Sequence, residues 1–211
     1  MSVVTMTLQG TRTMLQHNGR LASPIDPLTR ELKTLTGKQK KTVADYQAML
    51  TLEGYASCWE TDHGVLGLPT ENVWKAIHTA ATLSRRGEDL KRALSFLPGA
   101  VAPLLVAGAA VDAKAYVESG SGIFIRTVVV KRCRTLRARV QVPAGWSSTH
   151  VFELLDDVMD YDVLTPLVFT AGRLVGVGDW RPLYGRFDVT MRVDERPAQK
   201  TKTRAKQRAA A

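Results

Sequence analysis

The chain has 211 residues, of which 45% are hydrophobic, and it carries 29 Lys and Arg against 20 Asp and Glu, a net charge of +9. This length and composition indicate one large globular domain with a core of its own. They exclude a disulfide framework, because Cys58 and Cys133 are the only cysteines, and both are expected to be reduced thiols in a cytoplasmic protein.

Neither a metal site nor a membrane span is predicted. The uncharged run 93–111 approaches the length of a span, but prolines and glycines interrupt it, so it is expected to be a buried strand with flanking loops. No signal peptide, nucleotide-binding loop or nucleophile elbow is visible, and no cofactor is expected. Metal-ligand spacing is missing among the four histidines, which are His17, His63, His78 and His150.

The positive charge is concentrated in three segments. Residues 30–41, 126–139 and 194–211 together hold 17 basic and 3 acidic residues, whereas the rest of the chain has an acidic excess. Clustered cations attract polyanions, so the pattern predicts a nucleic-acid partner. The alternative is a charge distribution that serves only solubility.

In the first half of the chain, alternation and capping residues mark the elements. Residues 3–16 alternate between apolar side chains and a threonine-rich face, which predicts a half-buried strand. The other predicted elements are a helix from Asp26-Pro27 to about Leu35, a helix capped by Thr42 and ending near Leu52, a hairpin of 55–60 and 65–68, a helix capped by Thr70 and ending at 85–87, and a short helix over 88–97.

The second half continues with strands and two helices. Residues 123–142 are expected to be extended, with a break near Lys131, one apolar face and one basic face. The remaining predicted elements are a helix that begins at Ser147 or Ser148 and includes Met159, a helix over 164–175, and a strand over 187–193. Beyond 193 apolar periodicity ends, so the basic tail 194–211 is expected to be disordered.

The order strand, helix, strand, strand, helix, strand predicts an α+β, ferredoxin-like (RRM-like) antiparallel sheet with helices on one face. The other face would be open and polar, and Arg137 and Arg139 are expected on it. An open, basic sheet face is one way to present RNA bases and backbone. Alternatively, Arg137 and Arg139 only form a solvated strand face.

A glycine-rich stretch, 172–185, leads into the last strand. Glycine lets another backbone come close, so Gly172, Gly176, Gly178 and Gly185 either cradle a phosphate or form a tight connection. Trp180 either stacks on a base or fills the end of the core. The remaining candidates for phosphate contact are Arg181, Arg186, the loop cations Lys38, Lys40 and Lys41, and Lys75 on the third helix.

Two segments together resemble the RAMP superfamily, the repeat-associated RNA-binding proteins of CRISPR systems. Residues 67–77 are similar to its strand–proline–helix signature, and 172–189 are similar to its C-terminal glycine-rich loop. The layout looks most like the backbone subunit that polymerises head to tail along a guide RNA. The resemblance implies one domain over 1–193, with insertions at about 17–66 and at 99–122, the second of which would be a thumb region.

The resulting expectation is a non-catalytic subunit that binds single-stranded RNA and oligomerises along it in an antiviral ribonucleoprotein. Its expected partners are copies of itself and other CRISPR subunits, with no membrane. One alternative is a RAMP-type endoribonuclease that uses His17, His63 or Asp26. Another is a phage or mobile-element protein that mimics or occupies a CRISPR backbone subunit.

Overall fold

A computed structural model describes residues 1–120, 122–130 and 132–195. In this part of the chain the strands are β1 (Ser2–Gly10), β2 (Met14–Gln16), β3 (Gly67–Pro69), β4 (Leu94–Ser95), β5 (Val101–Val106), β6 (Ala109–Ala110), β7 (Ile123–Val130), β8 (Cys133–Val142), β9 (Ser147–Leu154) and β10 (Phe187–Glu195). The helices are α1 (Pro27–Thr36), α2 (Val43–Ala56), α3 (Thr70–Leu83), α4 (Gly87–Ala93), α5 (Ala113–Glu118) and α6 (Tyr161–Thr170). The predicted α+β class with an antiparallel sheet is confirmed.

The larger sheet has seven strands, and β1 lies between β10 and β9. On the side away from β1, β9 pairs with both β4 and β5. Leu94 lies opposite Leu154, and Leu104 lies opposite Ser148. β4 and β5 therefore act as one interrupted strand beside β9. β3 and the short β6 both pair with β5, and every pairing in this sheet is antiparallel.

The core lies between one face of this sheet and helices α3 and α6. The period-two pattern of β1 buries Val4, Met6 and Leu8 completely, and they join a single hydrophobic cluster with residues of both helices. On the other face Thr7 and Thr149 are exposed and contact each other through their hydroxyl groups at 3.1 Å. This face is left open by the part of the chain that the structure describes.

A second sheet of three strands, in the order β2-β8-β7, extends from the end of β1. Its base packs on α2, where Glu53 and Ser57 accept hydrogen bonds from the backbone N–H groups of Ala138 and Val140. Beyond this base, β7 and β8 form a two-stranded hairpin. We call residues 122–142 the arm.

Local capping rules predicted the first two helices well. Asp26 accepts a hydrogen bond from the N–H of Leu28 at 2.9 Å, and Thr42 forms a capping box with Asp45. α2 runs four residues past its predicted end, because Glu53 and Ala56 are buried against the arm and its surroundings. Residues 55–56 of the predicted hairpin therefore belong to α2, whereas Glu60 and Leu66 form an antiparallel bridge across the predicted turn.

The helix predicted from Ser147 or Ser148 is wrong, because residues 147–154 form strand β9. The residues that alternate inward are Ser148, His150, Phe152 and Leu154, whereas Val151 is 55% exposed. Because two of the buried positions, Ser148 and His150, are polar, the apolar residues alone do not show the period-two pattern. Thr70 is also not the cap of α3; its hydroxyl bonds the ring of His150 instead.

The predicted tail and insertions can be located relative to the observed elements. The backbone of β10 continues to Glu195, two residues into the predicted tail, and residues 196–211 lie outside the described residues. The first proposed insertion, 17–66, holds α1 and α2, and the second, 99–122, holds β5, β6 and α5. Among the described helices, none is both long and apolar enough to cross a bilayer.

His150 is the one ionisable ring enclosed by the sheet and α3 among the described residues. It is 1% exposed, with Nδ1 3.0 Å from Oγ1 of Thr70 and Nε2 2.7 Å from Oγ of Ser148. Burial lowers the pKa of His150 to about 4 from an ordinary value of 6.5. The folded protein therefore holds this ring neutral at physiological pH.

This shift predicts an acid-sensitive fold. The folded-state pKa is depressed, so the stability contribution is complete above about pH 6.5 and is lost as the pH falls from there to about 4. The expected loss is about 3 kcal/mol of unfolding free energy. Urea unfolding across this range would measure it, with His150→Gln as the comparison, because Gln retains hydrogen-bonding capacity but does not titrate. Equal pH dependence in both proteins would contradict the assignment.

Candidate nucleic-acid interface

The arm is the most basic feature of the described surface. Its sequence contains six basic residues and no acidic one. Val130 pairs with Cys133 at its tip, and the connecting turn places Arg132 in the left-handed region, with φ 67° and the side chain exposed. A two-stranded ribbon whose charged side chains are all cationic is suited to contact with phosphates.

Strand register separates the arm into two faces. Arg126 lies opposite Arg137, and Phe124 lies opposite Arg139, so these four side chains share one face. On the other face Val129 is 70% exposed. We call the first the arginine face and the second the apolar face.

The arginine face meets the glycine-rich stretch through an aromatic cluster. The guanidinium carbon of Arg126 lies 4.8 Å from the ring centroid of Trp180, a cation–π distance. Phe124 contacts Trp180 edge-on at 5.8 Å and Tyr184 at 6.0 Å. All three rings are half-buried, so the cluster is both packed and accessible. Trp180, for which the sequence allowed either base stacking or core filling, thus lies at the protein surface beside a cation that forms no ion pair with any described residue.

Arg137 and Arg139 do not lie on the open face of the larger sheet, where they were expected. They belong to the arm, and both are paired with carboxylates: Arg137 with Glu53 at 2.9 Å, and Arg139 with Asp179 at 3.2 Å. The side chain of Arg137 is 39% exposed and that of Arg139 is 18% exposed. Their first role is to fix the arm to α2 and to the glycine-rich stretch.

The open face itself is polar but not basic. On β1, β9 and β10 its described charged side chains are Glu153, Asp188 and Arg192, and four of the eight uncharged ones are threonine. The three strands carry no aromatic side chain on this face among the described residues. The expectation of a cation-lined sheet is therefore wrong, and the cations lie on the neighbouring arm.

The glycines of the stretch pack against the protein's own backbone. A Cβ at Gly176 would lie 2.9 Å from O of Gly185, and a Cβ at Gly178 would overlap O of Leu15. The N–H groups of this loop are also used internally; that of Gly176 donates to Ala171 at 2.8 Å. Of the two alternatives, these contacts favour the tight connection over a phosphate cradle.

The arginines after Trp180 differ from each other. Arg181 is exposed and adjoins the aromatic cluster. Arg186 is half-buried and donates from Nε to O of Pro182 at 3.0 Å, which fixes the loop. Arg181 is therefore an exposed cation next to Trp180 in sequence, whereas Arg186 serves mainly the local structure.

The predicted lysines lie apart from the cluster and are mostly engaged. Lys38 pairs with Asp45 at 2.5 Å, and Lys41 donates to the carbonyl of Lys38 at 2.7 Å. Lys40 is exposed in the same loop. Lys75 pairs with Glu71 one helical turn away at 2.7 Å, on α3. Exposed pairs of this kind contribute little to stability and open readily.

The residues considered for catalysis lie in different environments. Asp26 is occupied as the cap of α1. His17 lies at the end of β2, and its pKa is lowered, first by burial and then by the charge of Arg139. Within the described ranges, no group of three His, Cys, Asp or Glu residues could hold a metal ion.

Sequence reasoning did not single out Arg126 or Arg132. A signal for them existed, since the arm is a basic run without any carboxylate and breaks near Lys131, the pattern of a charged hairpin. The contact with Trp180 was not visible, because it joins residues far apart in the chain.

No protein-family model matches the chain, and no curated protein matches it. The function is therefore inferred from the arm, the aromatic cluster and the sheet.

Proposed function

We propose that the chain is a non-catalytic protein that binds single-stranded RNA through the arginine face of the arm and oligomerises along the strand. The observation that carries this proposal is the position of Arg126 over Trp180, beside Phe124 and Tyr184. Cations next to exposed ring faces bind unpaired nucleotides, with phosphates on the cations and bases on the rings. Such a site has little sequence preference.

The larger sheet supports a ferredoxin-like core. In chain order the elements of this core are β1, α3, the β4/β5 strand, β9, α6 and β10, and across the sheet the strands follow the order β10, β1, β9, β5. This order matches that of the split β-α-β motif and supports the proposed ferredoxin-like core. Its open face lacks the aromatic side chains that stack bases in RRM domains, so the nucleotides are assigned to the arm instead.

The resemblance to RAMP backbone subunits extends the proposal to a guide RNA and to other subunits of a CRISPR-type ribonucleoprotein. Single-stranded rather than duplex RNA fits the aromatic cluster, because only unpaired bases offer free ring faces.

Two variants separate the charge and stacking contributions to binding. Arg126→Ala with Arg132→Ala is expected to flatten the slope of log affinity against log salt by about 1.4, since each phosphate contact on a single strand contributes about 0.7. Trp180→Ala is expected to weaken binding by roughly 10- to 100-fold with little change in slope. Fluorescence anisotropy with a labelled oligonucleotide, from about 50 to about 200 mM salt, measures both.

The control is Arg92→Ala, an exposed cation on α4 outside the arm. A flat salt response of the native protein, or equal binding by all variants, would contradict the proposal. RNA that is cleaved with or without magnesium, and spared by His17→Ala, would favour the endoribonuclease. Weak binding to free RNA with tight binding to a CRISPR complex would favour the mimic.

A further inference from the structure

A groove lies between α2 and the edge of strand β8 in the arm. Its volume is about 430 Å³, and its walls come from α1, α2 and β8. Tyr46 and Leu136 are 53% and 52% exposed at its sides, an unusual exposure for two facing apolar residues. The residues that line it are Leu32, Thr36, Tyr46, Met49, Leu50, Glu53, Arg134, Thr135, Leu136 and Arg137.

The groove has a basic rim. Arg134 is exposed and forms no ion pair with any described residue, and it projects from the apolar face because it lies opposite Val129. Glu53, the one carboxylate in the lining, is 5% exposed and engaged with Arg137. An occupant of matching chemistry is apolar at its centre and acidic at its edge.

The turn between β9 and α6 has this chemistry. The N–H of Val158 donates to O of Leu155 at 3.0 Å, so the two side chains lie on one compact turn, where they are 44% and 41% exposed. Asp157 and Asp160 are exposed beside them. Residues 153–162 contain five acidic residues and no basic one. We call residues 155–160 the acidic turn.

The groove and the acidic turn lie at opposite ends of the molecule. The acidic turn adjoins the start of β1, since Asp156 pairs with the N-terminal amine and Leu154 lies opposite Ser2. The arm lies near the other end of β1, where the N–H of Gly145, just after the arm, donates to O of Gly10. Nine extended residues separate the two ends by about 30 Å, so one molecule does not fill its own groove.

We infer that the acidic turn of one copy docks in the groove of the next, with Leu155 and Val158 against the apolar wall and Asp157 toward Arg134. Contact between two different surfaces of identical chains is heterologous and leads to open, head-to-tail assembly. The docking supplies the contact for the oligomerisation that is part of the proposed function, and it rests on the proposed function for that reason. Arg137 belongs to both the arginine face and the groove, but Arg126, Phe124 and Trp180 do not line the groove and remain available to RNA.

Charge reversal tests the contact without nucleic acid. Asp157→Arg alone and Arg134→Glu alone are each expected to raise the dissociation constant of self-association more than about 10-fold, because like charges then face each other. An equimolar mixture of the two variants restores association, since each reversed surface finds its complement on the other variant. Sedimentation velocity on each protein and on the mixture measures the outcome.

Asp188→Arg, on the open face of the sheet, is the matched control and is expected to leave assembly unchanged. A native protein that stays monomeric up to about 100 μM, or a mixture that remains monomeric, overturns the inference. Binding of a short RNA by both variants is measured separately by anisotropy. RNA binding without assembly refutes the docking alone, whereas assembly without RNA binding refutes the proposed function alone.

Discussion

Gly185→Ala is expected to lower the unfolding free energy by about 3 kcal/mol or more. Gly185 has φ 72°, and a Cβ there would overlap the carbonyl oxygen of Val177. The same residue accepts a hydrogen bond from the N–H of Val177 and donates one to O of Thr13, both 2.9 Å long. Its backbone therefore cannot move away without loss of the bonds that hold the loop. Equilibrium urea unfolding measures the effect.

Gly99 provides the matched control for this substitution. Its φ is 77°, nearly the same as that of Gly185, but a Cβ there meets nothing within 4 Å. Gly99→Ala should cost only the strain of a left-handed alanine, about 1–2 kcal/mol. Equal losses at the two positions would show that backbone conformation, rather than contact with Val177, requires glycine at 185.

The parts of the fold that follow local rules could be predicted from the sequence. Alternation in β1 and β10 and the caps Asp26 and Thr42 are determined by neighbours a few residues away. β9 was missed because Ser148 and His150 are buried polar residues whose partners include Thr70, far along the chain. A polar residue is predicted to be exposed unless a hydrogen-bond partner that allows its burial is known.

The structure of the candidate interface depends even more than the fold on contacts between residues far apart in the chain. The alternation of β8 correctly separates an apolar face from a basic one, but it does not say which sheet the strand joins. Placing Arg137 and Arg139 on the larger sheet was therefore wrong. The pair of Arg137 with Glu53 spans 84 residues, and that of Arg139 with Asp179 spans 40, so no local spacing indicates either.

Glu53→Ala is expected to be the second strongly destabilising substitution, at about 3 kcal/mol. One carboxylate oxygen accepts from Arg137 at 2.9 Å and the other from the buried N–H of Ala138 at 3.1 Å. Alanine leaves the Ala138 N–H without this acceptor and lets Arg137 repel Arg126 across the strands. Glu53→Gln is the matched control, because its amide oxygen can still accept from Ala138, and a loss of about 1 kcal/mol is expected.

Substitution of Glu53, which lowers stability, should strengthen RNA binding. Glu53 neutralises Arg137, which shares the arginine face with Arg126. In Glu53→Gln the freed guanidinium, already 39% exposed, becomes available to a phosphate. Affinity at low salt should rise, and the slope of log affinity against log salt should steepen by about 0.7, the contribution of one more contact. A purely structural role for the pair predicts lower stability with an unchanged slope, so that result would remove Arg137 from the interface.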